Sequence, residues 1–167
     1  DTHCHLQDPR LAPNLEAVLD RARAAGITRF VCCATRESDW DAVLTLAERH
    51  AGVIPLLGLH PWFLGEARPG WADRLEARLR AHRAGIGECG LDFAVASYDP
   101  ALQVEVLRIH LRLAKALDRP LSLHLRQAWE ALIQLIHDEG LPRVGAAIHA
   151  FSGSPELARR LQGLGFH

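Results

Sequence analysis

The sequence predicts an α/β fold, an incomplete (β/α)8 barrel of about six β/α units, and three observations carry that expectation. Short apolar runs of strand length alternate with amphipathic segments of helical period, with no linker or shift in composition between them, which argues for right-handed βαβ crossovers and a parallel sheet. Polar residues of one chemical kind, histidines and a glutamate, recur where successive strands end, as the mouth of a barrel requires. The chain has 167 residues, against the ~250 typical of a closed eightfold barrel. An open doubly wound sheet is the alternative, but it concentrates its ligand at one switch point.

The elements follow in order. A first strand is expected to end in Asp1-Thr2-His3-Cys4-His5. The segment Asn14 to Ala25 places Leu15, Val18, Leu19 and Ala22 at helical spacing, with Asn14 as cap and Gly26 as stop. Thr28 to Ala34 reads as a buried strand, Ser38 to His50 as a helix capped by Ser38 with Gly52 beyond its end, and Val53 to Leu59 as a strand. A helix over Trp71 to His82, a short strand over Ala84 to Gly87 and a long helix over Pro100 to Leu117 continue the alternation. Strand Leu121 to Leu125, helix Ala128 to Glu139, strand Val144 to Ala150 and helix Pro155 to Leu164 complete it, with Phe166 opening a seventh strand.

Composition narrows the class. With 49% hydrophobic and 23% charged residues the chain buries a substantial core as one domain, and disorder is excluded. A formal net charge of −1 gives no broad basic footprint, so a nucleic-acid substrate would have to be held by metals and a few local arginines. The cysteines Cys4, Cys32, Cys33 and Cys89 show no CxxC spacing and are expected to be free thiols in a reducing compartment. Neither a membrane-length apolar run nor a signal pattern is present, so a cytoplasmic location is expected, with no membrane and no obligate protein partner. Lacking methionine and opening on Asp1, the sequence is expected to be a portion of a longer protein, a single hydrolase domain without its C-terminal β/α units.

The residues that carry chemistry are His3, His5, Glu88, His124 and His149. Residues i and i+2 of a strand face the same way, so His3 and His5 project together while Cys4 points to the other side. Any one of these histidines is more readily explained as a hydrogen-bonded core residue. Their common placement at strand ends points instead to a two-metal hydrolytic centre. Glu88, in GIGECGLD, follows an apolar strand, and a buried carboxylate has to be paired or metal-bound. Asp92 could bond a ligand or cap a turn. Mixed imidazole and carboxylate donors suit Zn²⁺, Mn²⁺ or Fe²⁺, and Mg²⁺ less well.

In order and over essentially the whole chain, DTHCHL, GLHP, GECGLDF, LRLAKALDRPLSLHLRQA and IHAFSG resemble the TatD family of metal-dependent deoxyribonucleases. The resemblance implies a TIM barrel of the amidohydrolase group that hydrolyses DNA phosphodiester bonds, often from a 3′ end. By position it makes His3 and His5 ligands of one metal, Glu88 the bridging carboxylate, and His124 with His149 ligands of the second. A further aspartate, ligand and base, is expected beyond residue 167. The chain departs from the family's His-Ser-Arg-Asp-Ala-like run with His124-Leu125-Arg126-Gln127-Ala128, and has His110 where a glutamine is common. Arg126 is a candidate phosphate contact or the partner of a helix-start salt bridge. His60 either lines the site or packs beside Pro61 and Trp62. Trp62 and Phe63 either stack unpaired bases or pack their loop, whereas Trp40, Trp71 and Trp129 belong to the core.

Three functions compete at this point. The first is a divalent-metal-dependent deoxyribonuclease, a 3′–5′ exonuclease on single-stranded or frayed DNA ends. The second is a metal-dependent amidohydrolase of a small amide or ester, because fold alone does not fix substrate. The third is a catalytically idle metal- or DNA-binding relative.

Overall fold

The computed structural model describes residues 1–95, 97 and 99–167. Five strands form one parallel sheet: β1 (Phe30–Cys33), β2 (Val53–Leu57), β3 (Gly85–Asp92), β4 (Leu121–Arg126) and β5 (Ala146–Ile148). Their spatial order is their order in the chain, β1-β2-β3-β4-β5, as an unbroken succession of βαβ units demands. The connecting helices are α1 (Leu15–Ala24), which precedes β1, then α2 (Trp40–Arg49), α3 (Trp71–Ala81), α4 (Pro100–Leu117), α5 (Trp129–Glu139) and α6 (Pro155–Gly163).

Two further segments dock at the sheet edges through single parallel bridges, Cys4 beside Cys32 and Phe166 beside Ala146. At the first, the Cys4 N–H donates to Val31 O and the Cys33 N–H donates to Cys4 O, both at 2.9 Å. The first strand expected to end in residues 1–5 and the seventh expected to open at Phe166 both pair at those places, each as a single bridge. Among the described residues each segment pairs with a neighbour on one side only.

The sheet is strongly curved. Five interstrand steps from the Cys4 segment to β5 would span about 24 Å in a flat sheet. The rings of His3 and His149, carried by those opposite edges, nevertheless stack with centroids 3.8 Å apart. The sheet is therefore a curled half-barrel, with helices outside and the histidines converging on its concave face.

Residues with no exposure fill the layer between strands and helices, among them Leu57, Leu75, Ile86, Leu91, Leu111 and Leu132. β3 is buried at every position, as a strand covered on both faces must be. It runs to Asp92, well past the expected end at Gly87, so Glu88 lies inside the strand and not after it. Pairing with β4 continues through Cys89–Leu123, Gly90–His124 and Asp92–Arg126 and overrides the glycine-rich local sequence. Glycine is required there: a Cβ on Gly90, at φ +144°, would lie 1.9 Å from His124 O. The ladder also shifts register between Ile86 and Cys89, at the point where Glu88 turns inward.

Helix caps differ in part from expectation. Asp99 caps α4, its Oδ1 accepting from the N–H groups of Ala101 and Leu102. Asn14 and Ser38 make no such bond, because 3-10 turns over Ala12–Asn14 and Glu37–Asp39 lead the chain into α1 and α2. All four cysteines are free thiols. Among the described residues no helix is long and apolar enough to cross a membrane.

Candidate metal centre

Glu88 is 2% exposed and sits at the focus of the concave face. Five imidazoles surround its carboxylate. Oε2 faces His3 Nε2 and His5 Nε2, each at 3.2 Å. Oε1 faces His149 Nε2 at 2.6 Å, His124 Nδ1 at 3.3 Å and His60 Nε2 at 3.5 Å. The five residues expected to act together, His3, His5, Glu88, His124 and His149, are thus brought together, and His60 joins them.

Backbone geometry explains the convergence. His3 and His5 flank the Cys4 bridge and share its inward side, Glu88 is aimed by the register shift in β3, and His124 stands on β4 opposite Gly90. His149 immediately follows β5, its N–H donating to Leu123 O. Burial by itself would raise the Glu88 pKa, but hydrogen bonds from His124, His149, His3 and His5 outweigh it and hold the carboxyl well below the usual range. In return the hydrogen bond with Glu88 raises the pKa of His5. Burial pulls His124 down, yet Glu88 and Asp92 together raise it.

Hydrogen bonds on the far side of each ring decide which nitrogen is available. The His5 Nδ1–H donates to Cys33 O at 2.8 Å, so Nε2 is left to face Glu88. His124 Nε2 lies 3.0 Å from Asp92 Oδ2, which turns Nδ1 inward. His3 Nδ1 rests 3.0 Å from Ser122 Oγ and 3.5 Å from Cys33 Sγ. His60 is different. Its Nδ1 accepts the Trp62 N–H at 3.2 Å, and burial pushes its pKa down to about 3, so the neutral ring carries its proton on Nε2, toward Glu88. His60 presents a donor to the centre where the other rings can present lone pairs.

Asp92 has no exposure, and of the two roles expected for it the turn cap is the one seen. Oδ1 accepts the Ala94 N–H and holds the turn, while Oδ2 receives His124 and the Trp62 indole Nε1–H at 2.8 Å. Burial alone would raise its pKa, but the bonds from His124 and Trp62 lower it. A carboxylate behind an imidazole is the usual support of a metal-ligating histidine. Asp92 in that role, with Cys33 O and Ser122 as further supports, is what sequence reasoning missed. The signal for Asp92 was its even spacing from Glu88, which puts both on one face of a strand.

Two donor groups, His3–Glu88–His149 and His60–Glu88–His124, each lie within 4.8 Å, close enough to hold an ion. The proton on His60 Nε2 favours dividing the rings by the carboxylate oxygen they face: His3 and His5 on Oε2, His124 and His149 on Oε1. Nitrogen and oxygen donors buried around one carboxylate suit a divalent cation. Above them opens a cleft of about 700 Å3, lined by His5, Thr35, Arg36, His60, Trp62, Phe63, Glu88, His124 and His149 among others. Trp62, 41% exposed, offers one ring face there. Arg126, exposed at the end of β4, does not line it. His110 lies outside the centre, fully buried against Trp71. Its Nδ1–H donates to Val106 O and its Nε2 accepts the Leu59 N–H, so it is a satisfied core histidine.

Known proteins share this arrangement of chain. The metal-dependent hydrolase YjjV of Escherichia coli is 35% identical over 99% of this chain and 65% of its own length, and its crystal structure superimposes with a TM-score of 0.93. Human deoxyribonuclease TATDN3 is 33% identical over 95% of this chain and 62% of its own length. The 3'-5' ssDNA/RNA exonuclease TatD of Cronobacter turicensis is 35% identical over 91% and 58%. The chain therefore spans less than two thirds of the length of each of these relatives. The ordered motifs, the half-barrel and the superposition agree with the family model for TatD related DNase, which matches residues 1–167, and the chain belongs to that family.

Proposed function

We propose that this chain is the metal-binding part of a deoxyribonuclease that hydrolyses phosphodiester bonds, acting as a 3′–5′ exonuclease on single-stranded or frayed DNA ends. The observation that carries the reading is the partition of the Glu88 carboxylate, with one oxygen serving His3 and His5 and the other serving His124 and His149. That donor set fits two divalent cations, one on each side of Glu88, of Zn²⁺, Mn²⁺, Fe²⁺ or Mg²⁺. Ions held there would polarise a phosphoryl oxygen and lower the pKa of an attacking water. An aspartate beyond residue 167 completes the proposed ligand set and supplies the base, from β/α units that close the barrel.

The protein's own groups do the rest. Asp92 and Cys33 O fix the rings of His124 and His5, so the ligating nitrogens need little reorganisation when a cation arrives. His60, neutral with Nε2–H directed into the centre, donates to a non-bridging phosphoryl oxygen on which charge builds during attack. Trp62, tethered through its indole N–H to Asp92, offers a ring face on which the terminal base stacks. Arg126, exposed at the end of β4 and outside the cleft lining, is left as a contact for a more distant phosphate.

The test uses the complete gene product on single-stranded DNA labelled at either end, with Mg²⁺ or Mn²⁺. Stepwise shortening from the 3′ end, absent in Glu88→Gln, is expected. Near-normal digestion by that variant would remove Glu88 from the bridging position, and turnover of small amides without DNA cleavage would favour the amidohydrolase reading.

A further inference from the structure

We propose that Arg36, backed by the ring of Phe63, grips a backbone phosphate of the single strand entering the cleft; this rests on the nuclease reading of the Glu88 centre. Arg36 follows β1 in extended conformation, just before the 3-10 turn Glu37–Asp39, and lines the same cleft as Glu88. Its guanidinium carbon lies 3.7 Å from the centroid of Phe63. Nη1 donates to Glu66 Oε2 at 3.1 Å and Oε1 at 3.3 Å. The ring and this ion pair hold the guanidinium plane in one orientation, so little rotamer freedom is lost when an anion docks.

One edge of the fork is open. Nε is 4.0 Å from Asp39 Oδ2, beyond hydrogen-bond reach, and that oxygen already accepts the Thr35 hydroxyl at 2.7 Å. Among the described residues the hydrogen bonds of Arg36 use Nη1 alone, which leaves the Nε and Nη2 donors in the geometry that matches two phosphate oxygens. Arg10, the other arginine lining the cleft, has that edge filled, because its Nε and Nη2 both donate to Asp8. A chain of net charge −1 has no broad basic surface, so one oriented guanidinium beside the centre weighs heavily in placing a polyanion.

The test is fluorescence anisotropy of a labelled, cleavage-resistant phosphorothioate single strand, titrated with the complete, metal-loaded protein over a range of salt concentrations. A lost phosphate contact lowers the slope of log affinity against log salt by about 0.7 for a single strand. Arg36→Gln is expected to show that drop and about tenfold weaker binding at low salt. Arg36→Lys keeps most of the slope. Phe63→Leu, which keeps the charge of Arg36 but removes the ring that backs it, is expected to weaken binding severalfold with the salt slope retained, so the claim stays testable even if Arg36→Gln folds poorly. Wild-type slope and affinity in a folded Arg36→Gln, with the loss appearing in Arg126→Gln instead, would overturn the assignment and leave the nuclease reading standing. Failure of the wild-type protein to bind single-stranded DNA at all would overturn both.

Discussion

Two carboxylates in this molecule are each ringed by groups that can carry positive charge, and the contrast between them separates a structural clamp from a reactive centre. Glu37, on the turn after β1, accepts from Arg74 Nε at 2.5 Å and Arg68 Nη2 at 2.6 Å, and these arginines push its pKa down to about 2. Glu88, on the concave face, is also held low, but by imidazoles. Guanidinium groups have no lone pair and no accessible neutral form, so the partners of Glu37 can only donate. Imidazoles can surrender a proton and turn a lone pair to a cation. Both sites keep a carboxylate charged; only the second is surrounded by groups that could hold a metal ion.

The sharpest way to break this contrast is to remove each charge in turn. Glu88→Gln is expected to lower turnover by more than the roughly 10–100-fold that loss of a supporting group costs, with the thermal transition still cooperative. Asp92→Asn, which loosens His124 without touching Glu88, is expected to fall within that 10–100-fold range in metal affinity, read by competition with a chromogenic chelator. An Asp92→Asn protein with wild-type affinity would mean that His124 needs no support.

A second comparison sets His110 against His124, two buried histidines with opposite responses. Burial pushes His110 down to about 4, against the ordinary 6.5. The unfolded chain therefore binds more protons between about pH 4 and 6.5, and stability rises with pH over that window. The contribution is fully present above 6.5, is lost as pH falls toward 4, and amounts to about 3 kcal/mol. Denaturant unfolding of wild type and His110→Gln across this window should show a flatter pH profile in the variant; parallel profiles would show that His110 does not titrate. Glu37→Gln gives the smallest effect. Its exposed arginine partners are screened, so a loss of about 1 kcal/mol or less is expected, with metal affinity unchanged.

Much of this geometry was legible in the sequence, for identifiable reasons. Strand and helix alternation located every helix to within a few residues, because each has an apolar face of period 3.6. The convergence of His3, His5, Glu88, His124 and His149 was legible because a parallel barrel sends all strand ends to one mouth. What escaped depended on partners remote in sequence. β3 extends through GECGLD only because β4 pairs with it, and glycine at positions 87 and 90 reads locally as loop. Arg36 and Arg126 look equivalent as residues after a strand, and only the placement of Phe63 and Glu66 distinguishes them. His60 could be placed near the site, but the nitrogen bearing its proton follows from the Trp62 N–H, which no spacing reveals.

The most direct test of the central claim, that the imidazole ring around Glu88 is a metal centre and the arginine ring around Glu37 is not, is calorimetric titration of Mn²⁺ or Zn²⁺ into chelator-stripped protein. The account predicts saturable binding with proton release in wild type and Glu37→Gln, and loss of that binding in a folded Glu88→Gln. Equal metal uptake by wild type and Glu88→Gln would contradict it.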